Sequence, residues 1–308
     1  MTIEAEWQAA LESERLHHAW LLTGRPGLGK RGFAERAALD LVSGSLAVND
    51  HPDIYVLTRA AKDDKEEKKR AEGKPFERKR NISVEQIRDL QRKLTTRPTL
   101  GDRRAIVIDP ADDMERPAAN ALLKSLEEPP PGTFFFLVSS HAAKLLPTIR
   151  SRCRTLRFSD LSESDMVAAL DEQVPGLDPM AHAQAIAAAD GSPGRAAQFA
   201  AHQLGPAASL LARLLAGEGR SLSVELSTAL GARPSREKLV AFLALARSML
   251  DRDLVTLERS AIEARATAMA ELVRLESEAP ILNYDPGLLI QRVASLLARA
   301  APASAEAP

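Results

Sequence analysis

Apolar residues along this chain fall into two regimes. In the first half they form short unbroken runs: Ala19 to Gly24 (AWLLTG), Asp53 to Thr58 (DIYVLT), Arg104 to Pro110 (RAIVIDP) and Thr133 to Ser140 (TFFFLVSS). Runs without polar alternation are the pattern of strands covered on both faces, as in a parallel sheet. Between them the spacing is helical. After Lys30 the residues Phe33, Ala37, Ala38, Leu41 and Val42 recur at three-to-four spacing, and Ala118, Ala119, Leu122, Leu123 and Leu126 do so ahead of the helix-stopping Pro129 to Gly132. The N-terminal stretch MTIEAEWQAALESERLHHAW carries its charges in an amphipathic helix pattern. Alternating strands and helices predict a doubly wound α/β region, with ligand sites at the carboxyl ends of its strands.

From about Leu161 the pattern is helical only, rich in Ala and Leu. Helix stops fall at Val174 to Pro179, Asp190 to Gly194, Gly217 to Ser221 and Gly231 to Ser235. The expected organisation is α/β plus all-α: an α/β region over 1–160, a small helical bundle over 161–204, a second helical domain over 205–298, and a disordered tail over 299–308. One segment breaks the scheme. Residues 59–80 hold ten basic and six acidic side chains against one aromatic, Phe76. Mixed-sign runs of this kind are expected to stay in water as a solvated insertion loop. A tongue facing nucleic acid or a partner is the sharper reading, and it requires the cations to gather on one face.

The whole chain, 308 residues with a formal net charge of −1, is too nearly balanced for bulk charge to argue a nucleic-acid role. Cys153 is the single cysteine, which rules out an internal disulfide or a cysteine-based zinc cluster and suits a reducing cytoplasm. No apolar run approaches the roughly 20 residues that span a bilayer. The expectation is a cytoplasmic protein without membrane or zinc.

The stretch GRPGLGKR, Gly24 to Arg31, places Gly24, Gly27, Gly29 and Lys30 at the spacing of a phosphate loop behind a strand. Such a loop cradles phosphates on backbone N–H groups, brings a lysine to the β/γ-phosphates and offers a hydroxyl to Mg²⁺. Here Arg31 stands where the hydroxyl belongs. Asp109, at the end of an apolar strand, matches the metal-orienting carboxylate of P-loop enzymes. Where a glutamate usually follows to act on water, this chain has Pro110.

The segments His17 to Lys30, His51 to Asp53, Asn120 to Pro130 (NALLKSLEEPP), Ser151 to Cys153 (SRC) and Gly191 to Ala196 (GSPGRA), in that order, resemble the clamp-loader branch of the AAA+ family. The resemblance spans about two thirds of the chain; the remainder is assigned only by its helical pattern and by that resemblance. It implies a RecA-like AAA+ domain, a helical lid and a helical collar that joins subunits into a pentameric ring. It further implies that the arginine of the SRC motif, here Arg152, reaches as a finger into the ATP site of the next subunit. The implied partners are ATPase subunits of the tau/gamma class, a clamp-opening delta subunit, the sliding clamp and primed DNA, within a replicative polymerase assembly.

Against the active members of that family three parts are missing: the hydroxyl at position 31, the glutamate at position 110, and a lid arginine at position 194. The lid has Gly194, and Arg195 comes one residue late, a rotation of about 100° on a helix. A guanidinium about 4 Å from Mg²⁺ would be repelled by roughly 8 kcal/mol at an effective dielectric of about 20. The leading expectation is therefore a vestigial loop (Gly24, Gly27, Gly29, Lys30, Arg31 and Asp109) with no metal and no required cofactor, where ATP binding without hydrolysis stays open. Two alternatives stand beside it. A self-sufficient ATPase would need Asp112 or Asp113 as base, and a DNA-binding regulator would rest on the cations of 59–80.

Overall fold

The computed structural model describes residues 2–13, 16–42, 46–74, 76–218, 222–251, 259–279 and 284–301. The chain divides into two compact units, 1–160 and 161–308.

In the first unit, five strands form one sheet: β1 (Ala19–Thr23), β2 (Ile54–Leu57), β3 (Arg104–Ile108), β4 (Thr133–Ser139) and β5 (Arg154–Arg157). They are ordered β2-β3-β4-β1-β5, and every pairing is parallel. The unbroken apolar runs follow from strand alternation between two covered faces. Leu21, Ile106, Ile108, Phe135 and Leu137 point to one side, against Ile87 and Leu90 of helix α4 (Val84–Leu94) and Ala118 and Leu122 of α5 (Arg116–Glu127). Trp20, Leu22, Val107, Phe136 and Val138 point to the other, against Trp7 of α1 (Ile3–Leu11) and Phe33, Ala37 and Leu41 of α2 (Lys30–Val42). Trp7 stands edge-on to Trp20 and Phe136, with ring centroids 5.4 and 5.5 Å apart, an arrangement that adds to area burial.

The fifth strand lies outside the four expected runs. It is an edge strand in which only Leu156 is buried, so it has no apolar run to betray it. The HPD residues are structural. Asp53, buried, accepts from the backbone N–H groups of Thr99 (2.6 Å) and Leu100 (2.8 Å), tying the approach to β3 into place.

The charged segment 59–80 differs from the expected solvated loop. It holds helix α3 (Asp64–Ala71), which Asp63 caps by accepting from Glu66 N, and it closes on itself through an antiparallel bridge between Ala61 and Arg78. Glu66 is buried there, accepting from Glu77 N at 2.7 Å and from Lys69 Nζ at 2.6 Å. Internal hydrogen bonds to a buried carboxylate do the organising that apolar burial does elsewhere.

The second unit is helical throughout its described residues: the four-residue α6 (Pro147–Arg150) belongs to the first unit, and α7 (Glu163–Gln173), α8 (Pro179–Ala189), α9 (Pro193–Ala201), α10 (Gly205–Leu215), α11 (Ser223–Leu230), α12 (Arg236–Asp251), α13 (Arg259–Glu278) and α14 (Pro286–Ala300) to the second. Residues expected in a lid and in a collar share one apolar core here, from Met166 and Leu170 through Phe242 and Leu272 to Leu297. Ser248 of α12 also donates to Asp190, just beyond α8. Of the tail expected over 299–308, residues 302–308 lie outside the described residues, while α14 continues to Ala300. No described helix is long and apolar enough to cross a membrane.

Candidate functional site

The loop Gly24 to Gly29 joins β1 to α2, so it sits at the carboxyl rim of the sheet. Its turns run through Gly24, Gly27 and Gly29 at φ of 149°, 83° and 76°. At Gly24 the glycine is required twice over, by the positive φ and because a Cβ would lie 2.5 Å from the Phe158 carbonyl oxygen. Lys30 opens α2 and is buried. Its Nζ folds back on the loop, donating to the carbonyls of Gly24 (2.8 Å) and Arg25 (2.6 Å). Burial lowers its pKa from the ordinary lysine value, and the charges of Asp109 and Asp112 oppose that.

Arg31 and Asp109 meet. The Arg31 Nη1 lies 3.4 Å from Asp109 Oδ2, and its Nε donates to Glu35 at 2.8 Å. Asp109 is largely buried, and burial raises its carboxyl pKa against the opposing pull of Arg31 and Lys30. The residues present do not fit the Mg²⁺ that the fold family would hold: a guanidinium occupies the position of a hydroxyl ligand and bonds the carboxylate meant to orient the metal's water. The two carboxylates considered as bases are engaged as well. Asp112 accepts from Ser139 Oγ (2.6 Å), Ser140 N (2.7 Å) and His141 N (3.1 Å). Asp113 pairs with Arg59 at 3.3 Å.

Arg152 is not brought to this cluster. It precedes β5 and so lies at the amino rim of the same parallel sheet. Its Nη2 pairs with Glu127 Oε1 at 2.5 Å, at the end of α5, and its Nη1 donates to the Thr148 carbonyl at 2.9 Å. Beside it the Cys153 thiol is pushed up to about 12 by burial, which leaves it protonated and unreactive. The pairings Arg152–Glu127 and Arg59–Asp113 join segments far apart in sequence, and no local spacing announces them.

Phosphate loop, strand-end carboxylate, parallel sheet and following helices together define an AAA+ protein with the RecA-like P-loop fold. In fold it is similar to a DNA polymerase III gamma subunit-related protein of Thermotoga maritima, with TM-score 0.56 and 16% identity over 97% of this chain and 99% of that one. A family model described as DNA polymerase III, delta subunit, matches residues 2–162. The chain is 38% identical over 167 residues to DNA polymerase III subunit delta' of Pseudomonas aeruginosa, covering 48% of this chain and 46% of that protein. It is 29% identical over 203 residues to the Escherichia coli subunit delta', covering 61% and 56%. The chain belongs to the family of DNA polymerase III delta-prime subunits. It spans about half the length of the curated relatives it matches.

Proposed function

We propose that this chain is a clamp-loader subunit that does not hydrolyse ATP and lends Arg152 to the ATP site of a neighbouring ATPase subunit. In this reading it completes a pentameric ring with tau/gamma-type ATPase subunits and a clamp-opening delta subunit. The ring places a sliding clamp on primed DNA during replication, as part of the DNA polymerase III holoenzyme, a nucleotidyltransferase complex. No cofactor is required of this chain, zinc included, and any ATP on its loop would be held without turnover.

The observation that carries the reading is the ion pair between Arg31 and Asp109. It sets a fixed cation where catalysis in this fold needs a divalent one. Support comes from the opposite rim. Arg152 and the loop are separated by the length of β5, four residues or about 13 Å at 3.3 Å per residue. A guanidinium there serves a phosphate on another chain better than one on its own.

The test is a complex reconstituted with Arg152→Ala. Arginine fingers are worth roughly 10³ to 10⁵ in rate at the site they serve, diluted in the whole complex by the sites that keep theirs. Assembly by size exclusion should be unchanged, while DNA- and clamp-stimulated ATPase and the loading rate fall. Wild-type rates in an assembled Arg152→Ala complex would remove Arg152 from the mechanism. The isolated chain should show no Mg²⁺-dependent turnover, and Arg31→Thr alone should not restore it, since Pro110 still stands where the glutamate is needed.

A further inference from the structure

Segment 59–80 delivers cations to the same rim as the phosphate loop. Leu57 of β2 pairs in register with Ile108 of β3, and Asp109 N donates to the Leu57 carbonyl at 3.0 Å, so Thr58 and Asp109 emerge side by side. Adjacent strands lie about 4.8 Å apart. Three guanidiniums are anchored at this rim by separate stretches of chain. Arg31 reaches Asp109 at 3.4 Å, Arg59 reaches Asp113 at 3.3 Å, and Arg78 donates to Thr58 Oγ1 at 3.2 Å while lying 4.9 Å from the centre of the Phe76 ring.

Arg78 is set by backbone pairing. It faces Ala61 in the antiparallel bridge, which Lys62 N (to Glu77 O, 2.9 Å) and Lys79 N (to Ala60 O, 2.7 Å) close on either side. Among the described residues its partners are a hydroxyl and a ring face, with no ion pair. Burial and then the guanidiniums of Arg59, Arg31 and Arg70 disfavour its charge, as happens where like charges face one another. Arg31 and Arg59 thus already have carboxylate partners, and Arg78 is the guanidinium whose charge an incoming anion would pair.

We propose that Arg31, Arg59 and Arg78 form a phosphate-binding cradle at the carboxyl rim of the sheet, with Arg78 as the member left to bind. Guanidinium forks match phosphate oxygens in shape and charge. The phosphate is either a backbone phosphate of nucleic acid or the terminal phosphate of a nucleotide on the adjoining loop. The site is independent of Arg152 and of any ring.

The full-length chain answers this by fluorescence anisotropy over a NaCl series, with a labelled primer–template duplex and, separately, a fluorescent ATP analogue. Arg78→Gln should weaken the true ligand by about tenfold or more. If the duplex is the ligand, the slope of log K against log salt should also become shallower by about 1. A loss confined to the duplex identifies the nucleic-acid backbone, and a loss confined to the nucleotide identifies the terminal phosphate. Lys65→Gln with Lys68→Gln, on the exposed side of α3, is the control for diffuse charge, and melting curves check the fold of each variant. The proposal is overturned if neither probe binds the wild type, if Arg78→Gln binds both as the wild type does, or if the lysine control loses as much.

Discussion

The two rims of the sheet each present an arginine to a carboxylate, and the two pairs are built differently. At the carboxyl rim Arg31 meets Asp109, whose side chain is 18% exposed, and is braced by Glu35 as well. At the amino rim Arg152 meets Glu127, whose side chain is 48% exposed. Breaking a pair whose carboxylate is largely buried strands a charge away from water, which costs several kcal/mol in fully buried cases. An exposed pair is worth about 0 to 1 kcal/mol, because water replaces the lost partner. The Asp109 carboxylate therefore depends on its partner, whereas the Glu127 carboxylate can lose its own at little cost.

Apart from the loss of rate expected at the neighbouring site with Arg152→Ala, the largest effect should come from Lys30. In a working phosphate loop this lysine waits for a ligand; here its Nζ binds the carbonyls of Gly24 and Arg25. Hydrogen bonds from a charged donor contribute about 1.5 to 3 kcal/mol each, and burial of the ammonium offsets part of that. Lys30→Ala should lower stability by about 1 to 3 kcal/mol in urea melts of the ligand-free chain. An unchanged midpoint would make the lysine a ligand group after all and erase the contrast between the rims.

These pairings separate what hydropathy reveals from what it hides. The four continuous runs became β1 to β4 because both faces of those strands are covered, and α2 and α5 followed from the spacing of Phe33 to Leu41 and Ala118 to Leu126. Strand β5 was illegible, since Arg154, Thr155 and Arg157 are exposed. Helix α3 has no apolar face, and its order comes from the buried carboxylate of Glu66 accepting a backbone N–H eleven residues on. Helix α4 did carry a signal, in Ile87, Leu90 and Leu94 and in Gln86 accepting from Ser83 N at 3.2 Å. The loop and Asp109 were readable as a site because their spacing is local. Glu127 stood in a recognised motif without a role, since its partner lies 25 positions away in a different turn.

Asp109→Asn sharpens the comparison through pH. Burial, the largest influence on this carboxyl, raises its pKa in the folded chain, and Arg31 pulls the other way. A raised carboxyl pKa means that the folded state resists ionisation more than the unfolded chain does. Stability associated with Asp109 is then full below its unfolded value and is lost as pH rises through the folded one. The asparagine variant escapes that loss, so it should be modestly more stable than the wild type at neutral pH, and the two should converge as the solution is acidified. The check is a pair of melting-temperature profiles from pH 3 to pH 8, with ~0.1 M salt held constant. A wild type that is instead the more stable at neutral pH would show that the Arg31 pair outweighs burial and binds that rim more tightly still.

The smallest effect should come from Glu127→Gln, and its smallness is the point. The substitution keeps the shape of the side chain and one acceptor oxygen for Arg152 Nη2 while removing the charge. The Thr148 carbonyl at 2.9 Å remains to hold the guanidinium's other nitrogen. If the pair is of the exposed kind, the chain should lose less than about 1 kcal/mol, a shift of roughly 2 to 4 °C at most in the melting of a domain of this size. A loss near the 3 to 5 kcal/mol typical of a broken buried pair would make Glu127 an anchor rather than a resting place. Arg152 would then be as firmly built in as Arg31, and the contrast between the two pairs would fail. In the reconstituted complex the same variant should assemble normally and turn over ATP at least as fast as the wild type, because a guanidinium with a weaker resting partner gives up less when it moves to a phosphate. A slower complex with unchanged stability would show instead that Glu127 aims Arg152 at its target, so turnover and melting together decide between a resting contact and an orienting one.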